Sequence, residues 1–251
     1  SLFQLNNHPA PKLMFNKNYP FFTSSSKFMV KHFKEYAKWI KSNYFKNCKN
    51  IIEIGSNDGS FLKNFKSKNI NVLGVEPSKN VANVARKKGI KTINNFFNFN
   101  TAKKLKKFKK NTDLITAANA ICHIPDLNNL IKGVDLLLSE KGLLIFEEPY
   151  LGSMYAKTSY DQIYDEHIYM FSLSSISKIF SLYDFELVDA LPQITHGGSM
   201  RYIIKRKGIA KKSKQLSNLI DKEKINSLDT IESCLNFKKN CELSKSKIVK
   251  K

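Results

Sequence analysis

The sequence predicts an α/β fold, a mostly parallel sheet with helices on both faces. Three observations carry this. Short apolar runs alternate with stretches of helical periodicity over most of the 251 residues, the pattern of successive βαβ units. The first run, Ile51-Ile52-Glu53-Ile54, stops at the turn Gly55-Ser56-Asn57-Asp58-Gly59. Polar residues gather just past the runs, at Glu76, Asn94-Asn95-Phe96, Asn119 and Glu147-Glu148. In an open α/β sheet that edge, beyond the carboxyl ends of the strands, is where ligands sit.

Each element follows from its local pattern. Residues 1–30 are punctuated by Pro9, Pro11 and Pro20, and read as irregular. Within them Tyr19-Pro20-Phe21-Phe22-Thr23-Ser24-Ser25-Ser26 is aromatic and then hydroxylic. It suits either a packed wrap or a cover over a ligand. Met29, Phe33, Tyr36, Ala37 and Ile40 recur at helical spacing, which predicts a helix over 26–44 with a core-facing stripe. Strands are expected at 51–54, 71–75, 90–93, 113–116, 143–146, 185–190 and 200–205, with helices at 80–88 and 128–138. The lysine-dense run 103–110 has apolar residues at 102, 105 and 108, which predicts a helix with a solvated lysine face. Residues 207–251 read as one lysine-rich helical stretch. No internal repeat appears.

The glycine turn after the first strand is the first candidate site. Gly55 and Gly59 allow a tight turn because they lack a Cβ. Phe61, Leu62 and Phe65 share one helical face, so a helix is expected from about Gly59. A strand, glycine turn and helix N-terminus together suit an anionic group. Glu76 closes the second strand about 20 residues further on, where a carboxylate accepts hydrogen bonds from a ribose diol. The spacing is not the dinucleotide fingerprint. It reads E-x-G-x-x-x-G, with Glu53 on the strand and Asp58 inside the loop. Asn95-Phe96 fits an adenine edge and face equally as well as a loop with a buried aromatic.

Composition sets the bounds. With 42% hydrophobic and 12% aromatic residues, the chain can bury a sizeable core. No run of 18 apolar residues exists, so no transmembrane helix is expected. The start lacks a signal pattern, and Cys48, Cys122, Cys234 and Cys241 form no C-x-x-C pair. Neither a zinc module nor a disulfide framework is expected, and the cytoplasm is the default compartment. Lys plus Arg number 42 against 21 Asp plus Glu, a net charge of +21. Lysine dominates and is spread along the whole chain, unlike the clustered, arginine-using footprint of a nucleic-acid binder. A nucleic-acid partner is therefore not expected.

A second candidate cluster follows the fifth strand, Tyr160-Asp161-Gln162-Ile163-Tyr164-Asp165-Glu166-His167. Imidazole suits proton transfer near neutrality. Glu166 and Tyr164 are candidates to orient it or to donate to a developing oxyanion. Asp165, Glu166 and His167 are consecutive and cannot all face one ion, so no metal is expected. A third cluster, Thr195-His196-Gly197-Gly198-Ser199-Met200-Arg201, precedes the last strand. Its double glycine fits a tight turn or a close approach to a ligand.

Taken in order, Glu53-Ile54-Gly55-Ser56-Asn57-Asp58-Gly59, Gly74-Val75-Glu76-Pro77-Ser78, Ala118-Asn119-Ala120-Ile121-Cys122-His123-Ile124-Pro125-Asp126, Tyr160 to His167 and His196-Gly197-Gly198-Ser199-Met200-Arg201 form a recognisable series. It resembles the nucleotide-sugar C-methyltransferases, over roughly residues 3–206. The resemblance implies a class I methyltransferase Rossmann-like fold with a seven-stranded sheet and an antiparallel last strand. It implies S-adenosylmethionine as cofactor and, as substrate, a nucleoside-diphosphate-linked keto-deoxysugar methylated on carbon through a base-generated enolate. His167 would be the base, with Glu166, Tyr164 and His123 orienting it and stabilising the enolate. Gly55, Asp58, Gly59, Glu76, Asn95, Phe96 and Asn119 would line the cofactor site, and Tyr19, Ser24, His196 and Arg201 the substrate site. The family usually opens with a zinc-binding domain, whose cysteine ligands are missing here. Residues 1–30 would be the tail of that domain or a substrate-covering loop, 31–206 the methyltransferase domain, and 207–251 the start of a C-terminal domain. The expected protein is a monomer that needs no membrane. A methyltransferase of another small molecule or of RNA, and a non-catalytic homologue that only binds the cofactor, are the alternatives.

Overall fold

The computed structural model describes residues 2–3, 8–44 and 48–249. Its main sheet has seven strands, β1 (Asn50–Ile54), β2 (Asn71–Val75), β3 (Thr92–Ile93), β4 (Thr112–Ala118), β5 (Leu138–Pro149), β6 (Phe185–Gln193) and β7 (Ser199–Arg206). Their order is β3-β2-β1-β4-β5-β7-β6. The expected architecture is the observed one, antiparallel last strand included, since β7 pairs antiparallel with β6 from Phe185 opposite Arg206 to Gln193 opposite Ser199. Besides one helical turn at Pro11–Met14, within the stretch expected to be irregular, the helices are α1 (Lys27–Tyr44), α2 (Lys79–Lys87), α3 (Phe99–Lys104), α4 (Leu127–Leu137), α5 (Leu151–Lys157), α6 (Leu173–Ser181), α7 (Lys214–Ile225) and α8 (Ile231–Val249). None of the described helices is long and apolar enough to cross a membrane. The chain divides after Phe146 into two compact units.

In the unit Pro9–Phe146, β1 is buried along its whole length. It lies parallel between β2, with Ile51 opposite Val72, and β4, with Ile51 opposite Leu114. A strand flanked on both sides and covered on both faces has to be nearly continuous in apolar residues, and this one is except for Asn50 at its start and Glu53. The chain moves outward from β1 to β2 and β3, then returns to the other side of β1 with β4. That reversal is the switch point of the sheet, and the residues following β1 and β4 flank it. Gly55 sits there with φ +68°, and a Cβ on it would lie 2.6 Å from the Ala120 Cβ. Both the conformation and the space require glycine.

The helix expected from Gly59 is absent. Asn57 and Gly59 both hold positive φ, and the chain regains a helical turn only as a short 3-10 segment, Leu62–Phe65. The apolar spacing behind that expectation is still used. Phe61 packs against Phe33 and Tyr36 of α1, with ring centroids 5.2 and 4.9 Å apart, and Leu62 and Phe65 are buried. The lysine-rich run is also not one helix. It breaks at Leu105, whose ψ of 51° is not helical and whose side chain is buried, between α3 and a 3-10 turn over Lys106–Phe108.

In the second unit, residues 207–249 form two helices, α7 and α8, where one stretch was expected. Leu228 between them and Phe237 of α8 pack into one cluster with Leu151, Met154 and Met170. Leu2–Phe3 pair antiparallel with Tyr169–Met170. A Ser172 cap starts α6, its hydroxyl accepting from the Ser175 N–H while the Ser175 hydroxyl accepts in return from the Ser172 N–H.

Candidate cofactor and catalytic sites

The loop after β1 is held by hydrogen bonds to the end of β2. The Gly55 N–H donates to the Val75 carbonyl at 2.9 Å, and the Asn57 N–H donates to Glu76 Oε2 at 2.9 Å. The other Glu76 oxygen accepts from the Ser78 N–H at 2.7 Å. The Asn95 N–H donates to the Glu76 carbonyl at 3.1 Å. Gly55, Glu76 and Asn95 are thus brought together within this unit, and Asn119 stands beside Ala120, which Gly55 meets. Burial pushes the Glu76 carboxyl above the usual carboxylate range, against the opposing pull of the Ser78 and Asn57 hydrogen bonds. A carboxylate has about four acceptor positions, so Glu76 retains capacity for a ligand diol.

Two further residues at this turn, Asn57 and Glu53, carried no site role in the sequence. Asn57 takes a left-handed φ of 47° and accepts from the Thr23 N–H at 2.9 Å while its amide donates to the Phe21 carbonyl at 3.1 Å. The signal was an Asn inside a glycine turn, since Asn tolerates that conformation. Glu53 is buried, and its carboxyl is raised well above the ordinary range by burial first and by the Glu76 and Asp58 charges next. Its Oε2 has no protein partner, and neither has the buried Oδ1 of Asn119. Two orphaned buried acceptors at the switch point fit a ligand that carries an ammonium group, a ribose diol and an adenine amine.

Asp58 has a different occupation. Its Oδ1 accepts from the Ser60 N–H and hydroxyl, and its Oδ2 from the Ser24 N–H at 3.1 Å and Lys88 Nζ at 3.0 Å. Protein donors fill the carboxylate and tie Ser24 to the loop, while the Asn80 amide of α2 donates to the Tyr19 carbonyl. The wrap and the loop are therefore one structure. Burial alone would raise the Asp58 carboxyl, but the Ser24, Ser60 and Lys88 bonds outweigh it and hold it below its ordinary value. A depressed acid stabilises the fold fully above its unfolded pKa of about 3.9 and loses that contribution as pH falls through the lower folded value. Asp58→Asn is accordingly expected to cost about 2–4 kcal/mol at pH 7 in urea unfolding, with the gap to the parent narrowing below about pH 4.

Phe15, which the sequence did not mark, stands between two residues that it did. Its ring lies 5.3 Å from Tyr19 and 5.5 Å from His123. Phe96 is half-buried and Asn95 exposed, with the Asn95 Oδ1 accepting from the Phe96 N–H. Ser24 is exposed.

In the second unit, His167 is buried in a short hydrogen-bonded chain. Its Nδ1 lies 2.9 Å from the Gln162 carbonyl, and its Nε2 lies 2.8 Å from the Tyr164 hydroxyl. A carbonyl only accepts, so Nδ1 carries the proton and Nε2 presents its lone pair to the hydroxyl. The Tyr164 ring also packs on the imidazole at 4.1 Å. Tyr164 is 43% exposed and His167 2%, so the phenol caps the basic nitrogen from the solvent side. Glu166 is half-buried next to it in sequence.

The turn before β7 holds three consecutive positive φ values, His196 48°, Gly197 71° and Gly198 134°. A Cβ on Gly198 would lie 2.5 Å from the Ser153 Cβ, so the turn leaves no room for a side chain against α5. His196 is exposed at the tip. Arg201 is buried, and its Nε donates to Glu147 Oε1 at 2.7 Å in an ion pair inside the sheet. A second guanidinium nitrogen reaches Gln193 Oε1 at 3.3 Å.

Residues 29–190 match the family profile described as a methyltransferase domain. The chain belongs to the methyltransferase-domain family. Residues 194–251 of this methyltransferase match a further profile, the C-methyltransferase C-terminal domain. It is 33% identical over 150 residues to the C-methyltransferase NovU of Streptomyces niveus, a match that covers 60% of this chain and 36% of NovU. Both findings relate it to the C-methyltransferases. The chain spans about a third of NovU's length. Among solved structures it is similar to the PH0226 protein of Pyrococcus horikoshii, with TM-score 0.59 and 16% identity over 74% of this chain and 95% of that one. It is also similar to a SAM dependent methyltransferase from Archaeoglobus fulgidus, with TM-score 0.54 and 19% identity over 65% and 72% of the two chains. At these identities the likeness is one of fold. The methyltransferase domain has S-adenosylmethionine as its cofactor.

Proposed function

We propose that the protein is an S-adenosylmethionine-dependent C-methyltransferase that acts on a nucleoside-diphosphate-linked keto-deoxysugar through an enolate. The observation that carries this reading is the Gln162–His167–Tyr164 chain, in which the Gln162 carbonyl holds the Nδ1 proton and leaves Nε2 as the base. Carbon methylation needs a carbanion, and the proton beside a ketone becomes acidic enough for imidazole only when the enolate oxygen is stabilised. His167 Nε2 takes that proton, and the C–H electron pair becomes the enolate. The Tyr164 hydroxyl, released from Nε2 as substrate arrives, donates to the enolate oxygen. When bound, S-adenosylmethionine supplies the electrophilic methyl on its sulfonium.

Glu76 holds the ribose, Gly55 and Gly59 allow close backbone approach, and Asn95, Phe96 and Asn119 serve the adenine end. Asp58 acts on the same site indirectly, by fixing the loop. Tyr19, Ser24 and His196 meet the sugar nucleotide. Arg201 acts on the sugar-nucleotide site through its buried ion pair with Glu147, and Glu166 helps to orient the imidazole. In this reading residues 31–206 serve as the methyltransferase domain and 207–251 belong to a C-terminal one. The test is incubation with S-adenosylmethionine and a panel of thymidine diphosphate keto-deoxysugars in deuterated buffer. The expected product is one methylene heavier, with a new C–C bond and the ring proton next to the ketone lost to solvent. A methyl found on oxygen or nitrogen would overturn the proposal.

A further inference from the structure

Glu223 is a buried acid in a lysine-rich segment. It lies on α7, whose buried residues are Leu216 and Glu223, seven positions apart on one face. Every group around its carboxylate donates. Oε1 accepts from the Tyr150 hydroxyl at 2.8 Å and the Leu173 N–H at 2.6 Å. Oε2 accepts from the Ser174 N–H at 3.0 Å and the Ser174 hydroxyl at 2.9 Å. Burial and the Glu223 charge both raise the Tyr150 phenol, so its hydroxyl keeps the proton it donates. Tyr150 opens the segment that carries His167, and Leu173 and Ser174 lie just past its end. The two ends also meet directly, through a bridge between Tyr150 and Phe171 and a 2.9 Å bond from the Leu151 N–H to the Phe171 carbonyl. The segment is thus a closed excursion with the imidazole near its tip, and one carboxylate fastens both feet. Leu228 and Phe237 support it from below through Leu151, Met154 and Met170.

We infer that Glu223 is a positioning residue for the His167 base, by which the helices after β7 set the geometry of residues 150–173. The inference rests on the proposed role of His167. The four neighbours are donors and a carboxylate offers about four acceptor positions. A glutamine therefore keeps the size of the side chain but turns an N–H₂ toward at least one donor. In the full chain, Glu223→Gln is expected to lower kcat for the keto-sugar about 10–100-fold, the usual consequence of a slightly misplaced catalytic group. KM for S-adenosylmethionine and the affinity for S-adenosylhomocysteine should stay within about twofold, and amide hydrogen exchange over 159–170 should rise about tenfold. Exchange in β6 and β7 should not change. Tyr150→Phe, which removes one of the four bonds and no apolar packing, should give smaller effects of the same sign and serves if Glu223→Gln does not fold. Unaltered kcat and exchange would overturn the inference, as would exchange rising equally across β6 and β7, which marks general destabilisation. If the parent protein methylates no keto-sugar, the proposed function fails while the exchange comparison still decides whether Glu223 holds the segment.

Discussion

His167→Ala is expected to lower kcat for carbon methylation by about 10²–10⁴-fold, the range for loss of a positioned general base, while the affinity for S-adenosylhomocysteine stays nearly unchanged. The asymmetry follows from where the residue stands. The imidazole bonds to Gln162 and Tyr164, both in its own segment, whereas the proposed cofactor residues lie on the loops after β1, β2, β3 and β4. Rapid-mix single-turnover kinetics with isothermal titration separates the two quantities. A strong loss of cofactor affinity would refute the role assigned to His167. Proton wash-out from the keto-sugar should fall in parallel with methylation, because both need the same base.

Glu76→Ala should act in the opposite way and weaken cofactor binding about 10–100-fold, which corresponds to losing charge-assisted hydrogen bonds of roughly 1.5–3 kcal/mol. Part of the loss is indirect. Glu76 also receives the Asn57 and Ser78 N–H groups, so removing it loosens the loop it would share with the ligand. Its carboxyl is raised by burial, which gives a second, independent readout. The ionised form accepts from a diol, so the parent's affinity for S-adenosylhomocysteine should begin to fall at a pH above the ordinary glutamate value of about 4.3, and the variant should lack that step. An unchanged dissociation constant in Glu76→Ala would count against the ribose assignment.

The central strands were legible in the sequence because their cores are short apolar runs, buried throughout in β1, and such runs differ from helical stripes in length and periodicity. The polar groups past their ends were legible for the same reason: they interrupt the runs. What the sequence hid was decided by partners far along the chain. Phe61, Leu62 and Phe65 have the spacing of a helix, but the left-handed backbone at Asn57 and Gly59 and the bonds from Ser60 to Asp58 leave room only for a 3-10 turn. Asp58 looks like a ligand group until Ser24 and Lys88 arrive from 34 and 30 residues away to saturate it. Glu223 is one acid among lysines in the sequence, and its partners lie 49, 50 and 73 residues earlier.

The 2.6 Å that would separate a Cβ on Gly55 from the Ala120 Cβ also constrains how this chain can change over generations. The two positions lie on different loops, yet each limits what the other accepts. Any side chain at 55 collides with the methyl of 120, and any enlargement at 120 crowds the backbone at 55. Neither can drift by single neutral steps. Lineages descended from this sequence should therefore hold a glycine and a small residue there together.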